Sequence, residues 1–168
     1  MKSLVTALWL LVSPPAQASE CFKDCVTSAE GVELIQFFEG FNPFIYKDVG
    51  GLNTIGYGHL IVPGEKFVEP LLGDAATDLL RADLKRTERG LRNQLKIPIY
   101  QHRFDALVSF AFNVGVTACL TSSPWRYALA GRHSEVPDRL GLWINVQGKP
   151  VRGLIVRRAA EGKRYSHQ

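Results

Sequence analysis

Between Glu39 and His59 the chain sets a carboxylic acid, a second carboxylate, a hydroxyl and an imidazole on one short stretch, EGFNPFIYKDVGGLNTIGYGH. Glu39 closes an apolar run, IQFFEG. Asp48 follows nine positions later in a polar, Gly-rich stretch, and Thr54 six after that. Two carboxyl groups in unlike surroundings suit glycoside hydrolysis: one stays protonated to donate, and the other stays ionised to activate water or stabilise a cation. Glu39 fits the donor. It ends a helical pattern beside Phe37-Phe38, where the helix dipole and desolvation both disfavour a negative charge. Taken singly, the three residues read as a surface glutamate, a turn aspartate and a strand threonine. The combination points to a hydrolase acting on sugars.

The elements that must position these groups are legible in the periodicity. Thr27-Ser28-Ala29-Glu30 has the form of a capping box and opens a helix to about Glu39, with Val32, Leu34, Ile35 and Phe38 as its apolar stripe and Gly40 as its stop. Phe44-Ile45-Tyr46 and Thr54-Ile55 with Tyr57 are β-prone and separated by Gly50-Gly51, which predicts a small antiparallel hairpin or three-stranded sheet over 43–60. Leu80, Leu84, Thr87, Leu91 and Leu95 recur at helical spacing, predicting a helix of roughly twenty residues capped by Asp74. Further helices are expected over Gln101–Val114, from Ser123 as cap with Pro124 at the first helical position to Gly131, over Pro137–Ile144 and from Arg152 to about Arg164. The fold class is α+β: a small β-hairpin or sheet lobe and a mainly helical lobe, joined by the long helix, with the cleft between lobes as the expected binding site.

A chain of 168 residues with 46% hydrophobic content makes one ordinary globular domain and excludes a disordered chain. The net charge of +4 reflects 20 basic and 16 acidic residues. Its basic clusters, Lys85-Arg86 with Arg89 and Arg92, and Arg157-Arg158 with Lys163-Arg164, lie in helical patterns and read as solvated faces. Lys2, the apolar run Leu4–Val12 and Ala16-Gln17-Ala18 form an export signal too short to span a bilayer. Residues 1–18 are thus a cleaved signal peptide or a retained, weak membrane tether, and 19–168 the functional domain. Either alternative carries the protein across the inner membrane of a bacterial host to the periplasm and wall, the tether with transient inner-membrane association. Cys21, Cys25 and Cys119 read as one disulfide and one free thiol, with Cys21–Cys25 or a link from either to Cys119 both open. If residues 1–18 are cleaved, Cys21 and Cys25 sit on a short, mobile segment before the capping box that can reach Cys119.

The Glu39-Gly40-Phe41 segment, followed by Tyr46, Asp48, Gly51 and Thr54-Ile55-Gly56-Tyr57-Gly58-His59, resembles the signature of the phage-type lysozymes, the endolysins of the T-even and lambdoid kind (glycoside hydrolase family 24). The resemblance continues through Leu79–Asp83, Gln101 with Ala106–Gly115, and Trp143, Gly148-Lys149, Gly153-Leu154, Arg157-Arg158 and Glu161, covering about residues 30 to 161. Val116–Gly148 departs from the family in spacing and composition. The resemblance implies a lysozyme-like fold and muramidase activity, the hydrolysis of the β-1,4 link between N-acetylmuramic acid and N-acetylglucosamine, leading to wall degradation and lysis.

It implies Glu39 as the acid, and Asp48 with Thr54 as the groups that hold water or stabilise the oxocarbenium-like transition state. His59 and Asp83 become a structural ion pair, and Leu60 and Phe112 substrate-binding positions. The implied partner is the peptidoglycan glycan strand, bound by a monomer, with no nucleic acid, cofactor or metal. No histidine pairs with His59 at metal-ligand spacing. Two competing functions are a thiol peptidase using Cys25 or Cys119 with His59 or His133, and a non-enzymatic binder of wall or polyanion.

Overall fold

The computed structural model describes residues 19–166, so the signal or tether expected at 1–18 lies outside the described residues. The fold is mixed helix and sheet, as the periodicity indicates. A two-residue strand β1 (Glu20–Cys21) precedes helix α1 (Ala29–Glu39). A three-stranded antiparallel sheet follows, β2 (Asn42–Lys47), β3 (Asn53–Gly56) and β4 (His59–Leu60), in spatial order β2-β3-β4. Helix α2 (Gly73–Gln94) then leads through β5 (Ile99–Tyr100) into the helical body: α3 (Gln101–Val114), α4 (Val116–Thr121), α5 (Ser123–Leu129), a 3₁₀ turn at His133–Glu135 and α6 (Val136–Leu140). The hairpin β6 (Asn145–Val146) and β7 (Lys149–Pro150) precedes the last helix, α7 (Arg152–Ser166).

The hub is α3. Every side chain from Phe104 to Ala111 is buried, the all-round burial of a helix enclosed by others. It packs against α7, α1, α4 and α2. The stripe read on α2 is the face it buries: Leu80, Leu84, Thr87 and Leu91, with Leu95 just beyond the helix end. The β lobe has a smaller core of Ile55, Leu71 and Ala76. Tyr57 packs against both cores and meets Phe41 with tilted rings, centroids 5.2 Å apart, so one aromatic bridges the lobes.

Several local readings are corrected. The cap of α1 is Ser28, whose hydroxyl accepts from Gly31 N–H. Thr27, one residue earlier, is committed to buried Glu88, donating both its N–H (2.8 Å) and its hydroxyl (2.7 Å). Asp74 lies inside the first turn of α2 and does not cap it. The α5 cap is Ser122, not Ser123, and α4 is an element the sequence pattern did not announce. The segment before α1 is not a free arm: β1 pairs antiparallel with β5, and a disulfide joins Cys21 to Cys25, leaving Cys119 a buried free thiol. Among the described residues no helix is long and apolar enough to cross a membrane.

Asp105 ties the body to α1. Fully buried on α3, it accepts from Ser28 N–H (3.0 Å), the Ser28 hydroxyl (2.6 Å) and Gln101 Nε2 (2.8 Å), and it is bridged by Arg164 of α7. Gly31 is what lets α1 approach this closely, since a Cβ there would fall 2.6 Å from Asp105 Cγ.

Candidate active site

Glu39 is the last residue of α1, and the helix stops behind it because Gly40 turns the chain at φ +71° toward β2. The apolar collar read around Glu39 is not what surrounds it: Phe37 is largely exposed, and the nearest partner is a cation. Arg157 Nη1 donates to Glu39 Oε1 at 2.7 Å, while Arg157 Nε reaches Glu161 Oε1 at 3.1 Å and Nη2 donates to the Ser109 carbonyl at 3.1 Å. The guanidinium plane also lies 5.4 Å from the Phe38 ring. Sequence reasoning assigned Arg157 and Arg158 to a solvated face, whereas both are buried, at 4% and 1% exposure. The signal available was Glu161, four residues on, which is also buried and accepts from Ser109 Oγ at 2.8 Å. Arg158 Nε lies 3.1 Å from its second oxygen, and Arg158 Nη2 donates to Asn113 at 2.7 Å. Burial pushes the Glu161 carboxyl above the usual carboxylate range, against the pull of Arg158, Ser109 and Arg157.

Asp48 opens the five-residue loop between β2 and β3. Its Oδ1 accepts from Gly50 N–H (2.8 Å) and Leu52 N–H (2.9 Å), an Asx turn that fixes the carboxylate to its own loop. The Leu52 carbonyl then joins the two polar candidates of this lobe, accepting from Asp48 N–H at 3.0 Å and from Thr54 Oγ1 at 3.2 Å. Thr54 is buried on β3, opposite Tyr46 on one side and Leu60 on the other. Glu39 makes no hydrogen bond to Asp48 or Thr54 among the described residues. One carboxylate is therefore held by the helical body and the other by the β lobe.

His59 and Asp83 are in contact, with Nδ1 3.0 Å from both carboxylate oxygens, and this clamps β4 onto α2. The reading from sequence missed a third member, Glu65 in the loop after β4, which sits 3.1 Å from Nε2. Burial alone would lower the His59 pKa, but Glu65 and Asp83 together outweigh it and hold the imidazole above its ordinary value. Burial likewise raises the Asp83 carboxyl despite its cationic partner. Leu60 is exposed on β4. Phe112 stands apart from these residues, in a groove of about 590 Å³ between α2 and the α3–α4 turn, together with Val114, Gly115 and Val116. Among the described residues, no group of three or more His, Cys, Asp or Glu is gathered to hold a metal. Cys119 is buried and its thiol is pushed up to about 12, chiefly by burial, while Cys21 and Cys25 are bonded to each other.

With this arrangement in view, the chain was compared with known proteins. A family model described as phage lysozyme matches residues 36–161. The endolysin of Bacillus phage PZA is 37% identical over 139 residues, which is 80% of this chain and 52% of the relative, so the chain spans about half the length of that protein. A SAR-endolysin of Bacteriophage PS119 is 34% identical over 126 residues, 73% of each chain. Among solved structures, the muramidase domain of SpmX from Asticaccaulis excentricus is similar at a TM-score of 0.75 and 33% identity, covering 84% of this chain and 98% of that one.

The histidine clamp has a pH signature. A histidine whose pKa is raised on folding contributes its full stabilisation below the unfolded value of about 6.5, and loses it as pH rises through the folded value. His59→Ala should therefore lower the thermal midpoint more at pH 5.5 than at pH 8.5. Thermal melts of both proteins at the two pH values check this, and an equal gap at both would show that the imidazolium is not what holds β4 to α2.

Proposed function

This chain belongs to the phage lysozyme family, and we propose that it is a muramidase that hydrolyses the β-1,4 bond between N-acetylmuramic acid and N-acetylglucosamine in peptidoglycan, degrading the wall and lysing the cell. The observation that carries this reading is the division of the two carboxylates: Glu39 is braced by Arg157 at the end of α1, and Asp48 is fixed in the β2–β3 loop. In this reading Glu39 protonates the leaving glycosidic oxygen. Asp48 Oδ1 is bound to its loop, and Oδ2, with Thr54 on the adjoining strand, holds the attacking water or stabilises the oxocarbenium-like transition state. His59 and Asp83 are structural, exposed Leu60 extends the sugar-binding surface beside Thr54, and Phe112 is a separate substrate-binding position, in the groove at the α3–α4 turn. The endolysin and muramidase-domain relatives support the substrate class. A thiol hydrolase is disfavoured, because two cysteines are cross-linked and the third is a buried thiol that stays protonated at neutral pH.

For the N-terminus, residues 1–18 serve export, and the functional domain begins at 19 and acts as a monomer. The SAR-endolysin relative supports the retained tether over the cleaved signal. Intact-mass analysis of the exported protein tests that choice: a Met1-Lys2 start fits the tether, and a Ser19 start refutes it.

Glu39→Gln should reduce wall lysis by about 10²-fold or more, the usual cost of removing a general acid. The amide oxygen still accepts from Arg157, so the fold should persist with a near-native thermal midpoint. Turbidity clearing of chloroform-treated Gram-negative cells measures the rate, and mass spectrometry of digested peptidoglycan identifies the bond. Reducing-end muramic acid is the expected product; reducing-end glucosamine alone, or near-native clearing by the variant, would overturn the assignment.

A further inference from the structure

The charge of this protein is concentrated in one place. Residues 81–96 hold six Lys or Arg and two acidic residues, an excess equal to the +4 of the whole chain, so the remainder is neutral by formal count. Both acids are occupied, Asp83 with His59 and Glu88 in the buried Thr27 contact. Arg81, Lys85, Arg86, Arg89 and Lys96 are exposed, and none of them forms an ion pair among the described residues. Arg81, Lys85 and Arg89 repeat at four-residue spacing on α2 with Arg86 beside them, spanning about 12 Å at 1.5 Å per residue. Successive cations in the row are about 6 Å apart along the axis, within the screening length of about 8 Å at physiological salt, so they act as one patch. The acids Asp74 and Asp78 sit in the first turns, at the other end of the helix. Favourable interaction with the helix dipole fades within the last turn, so it accounts for Arg92. Arg81 also donates to the Thr27 carbonyl at 3.4 Å, which leaves Lys85, Arg86 and Arg89 as the cations the fold itself does not use.

The placement of the patch points to its partner. Lys23 Nζ donates to the carbonyls of Arg92 (3.0 Å) and Leu95 (2.7 Å), which sets the Cys21–Cys25 loop against the C-terminal end of α2. Cys21 pairs with Ile99, and Ser19 O accepts from Gln101 N–H at 2.8 Å. The chain therefore runs toward its first eighteen residues from the basic end of α2. Those residues include the uncharged apolar run Leu4–Val12. An apolar segment of that size holds a bilayer weakly by itself, and a basic patch on the same chain supplies the second attachment such anchoring requires. We propose that the exposed basic face of α2, Arg81 to Arg89, docks the protein on an anionic phospholipid surface. This stands apart from the Glu39 chemistry; the charge of the face belongs to residues 81–89, and the two-point attachment applies where residues 1–18 are retained.

Co-sedimentation of the full chain with vesicles tests it, using phosphatidylcholine alone against equal parts of phosphatidylcholine and phosphatidylglycerol. Any contribution of the apolar N-terminus is common to both. Each Lys or Arg near such a surface adds roughly fivefold in partitioning. With four cations on the face, the mixed vesicles should therefore bind wild type on the order of 600-fold more tightly at low salt, a preference that collapses at high salt. Lys85→Gln/Arg86→Gln/Arg89→Gln should abolish most of the preference. Lys66→Gln/Lys149→Gln/Arg152→Gln, with the same net charge, should keep it. Lys85→Glu alone gives a second reading from one exposed position, should the triple variant melt early. Wild type that ignores phosphatidylglycerol or salt would overturn the proposal, as would equal losses in the two triple variants. If the α2 variant keeps its lipid preference but no longer binds purified sacculi, the face reads a wall polymer and the membrane assignment is wrong.

Discussion

The Arg157 guanidinium is the interaction on which the rest of this structure depends. Three of its nitrogens face three different elements: the end of α1 through Glu39, the middle of α3 through the Ser109 carbonyl, and its own helix through Glu161. A buried guanidinium is costly unless its donors are met, and here carboxylates and a carbonyl meet them. Charge balances as well, since Arg157 and Arg158 stand against Glu161 and Glu39. Removing a fully buried member, Arg157, Arg158 or Glu161, typically costs about 3–5 kcal/mol, because the charge left behind stays buried, whereas Glu39 is partly exposed and its loss costs less. In the proposed function the same constraint has a second use. A glutamate on the final turn of a helix has a long, mobile side chain, and the guanidinium fixes it in one place.

Asp48 and Thr54 are positioned by different means. Asp48 is held by its own loop, through two backbone N–H groups, and Thr54 by the Leu52 carbonyl that Asp48 also uses. The β lobe that carries them is joined to the helical body by the Tyr57 ring and by the imidazole clamp from His59 to Asp83 and Glu65. Each carboxylate is thus rigid relative to its own lobe, and the spacing between them is set by the few contacts that join the lobes. Preorganisation of this kind is what general acid catalysis needs, because small misplacements of the donor are expensive in rate.

What could be read from sequence divides along physical lines. The apolar stripe of α2 and the β-prone runs on either side of Gly50-Gly51 depend on local periodicity, and they formed as the pattern indicates. Caps were misplaced by one residue at α1 and α5, because adjacent polar residues are equivalent as text and a distant partner decides between them. Glu88 takes Thr27, and Ser28 is left to cap. Helix α4, with the sequence VTACLT, is too short and too rich in β-branched residues to show a period. The misreading of Arg157 and Arg158 has the same origin. A buried, paired arginine and a solvated one look alike in a helical pattern, and only the fold brings Glu39 to residue 157 from 118 positions away. Glu65 escaped notice because a loop residue has no periodicity to betray it.

The central claim, that Arg157 works by holding Glu39, is tested most directly by a double-mutant cycle on lytic rate, using Arg157→Lys and Glu39→Gln at a temperature where all four proteins are folded. Lysine keeps the charge but presents its donors from one point, so it cannot serve three partners in three directions. The account predicts that Arg157→Lys lowers the rate by on the order of 10²-fold when Glu39 is present, and by little or nothing further in the Glu39→Gln background. The same fold loss in both backgrounds would show that Arg157 acts independently of Glu39 and would contradict the account.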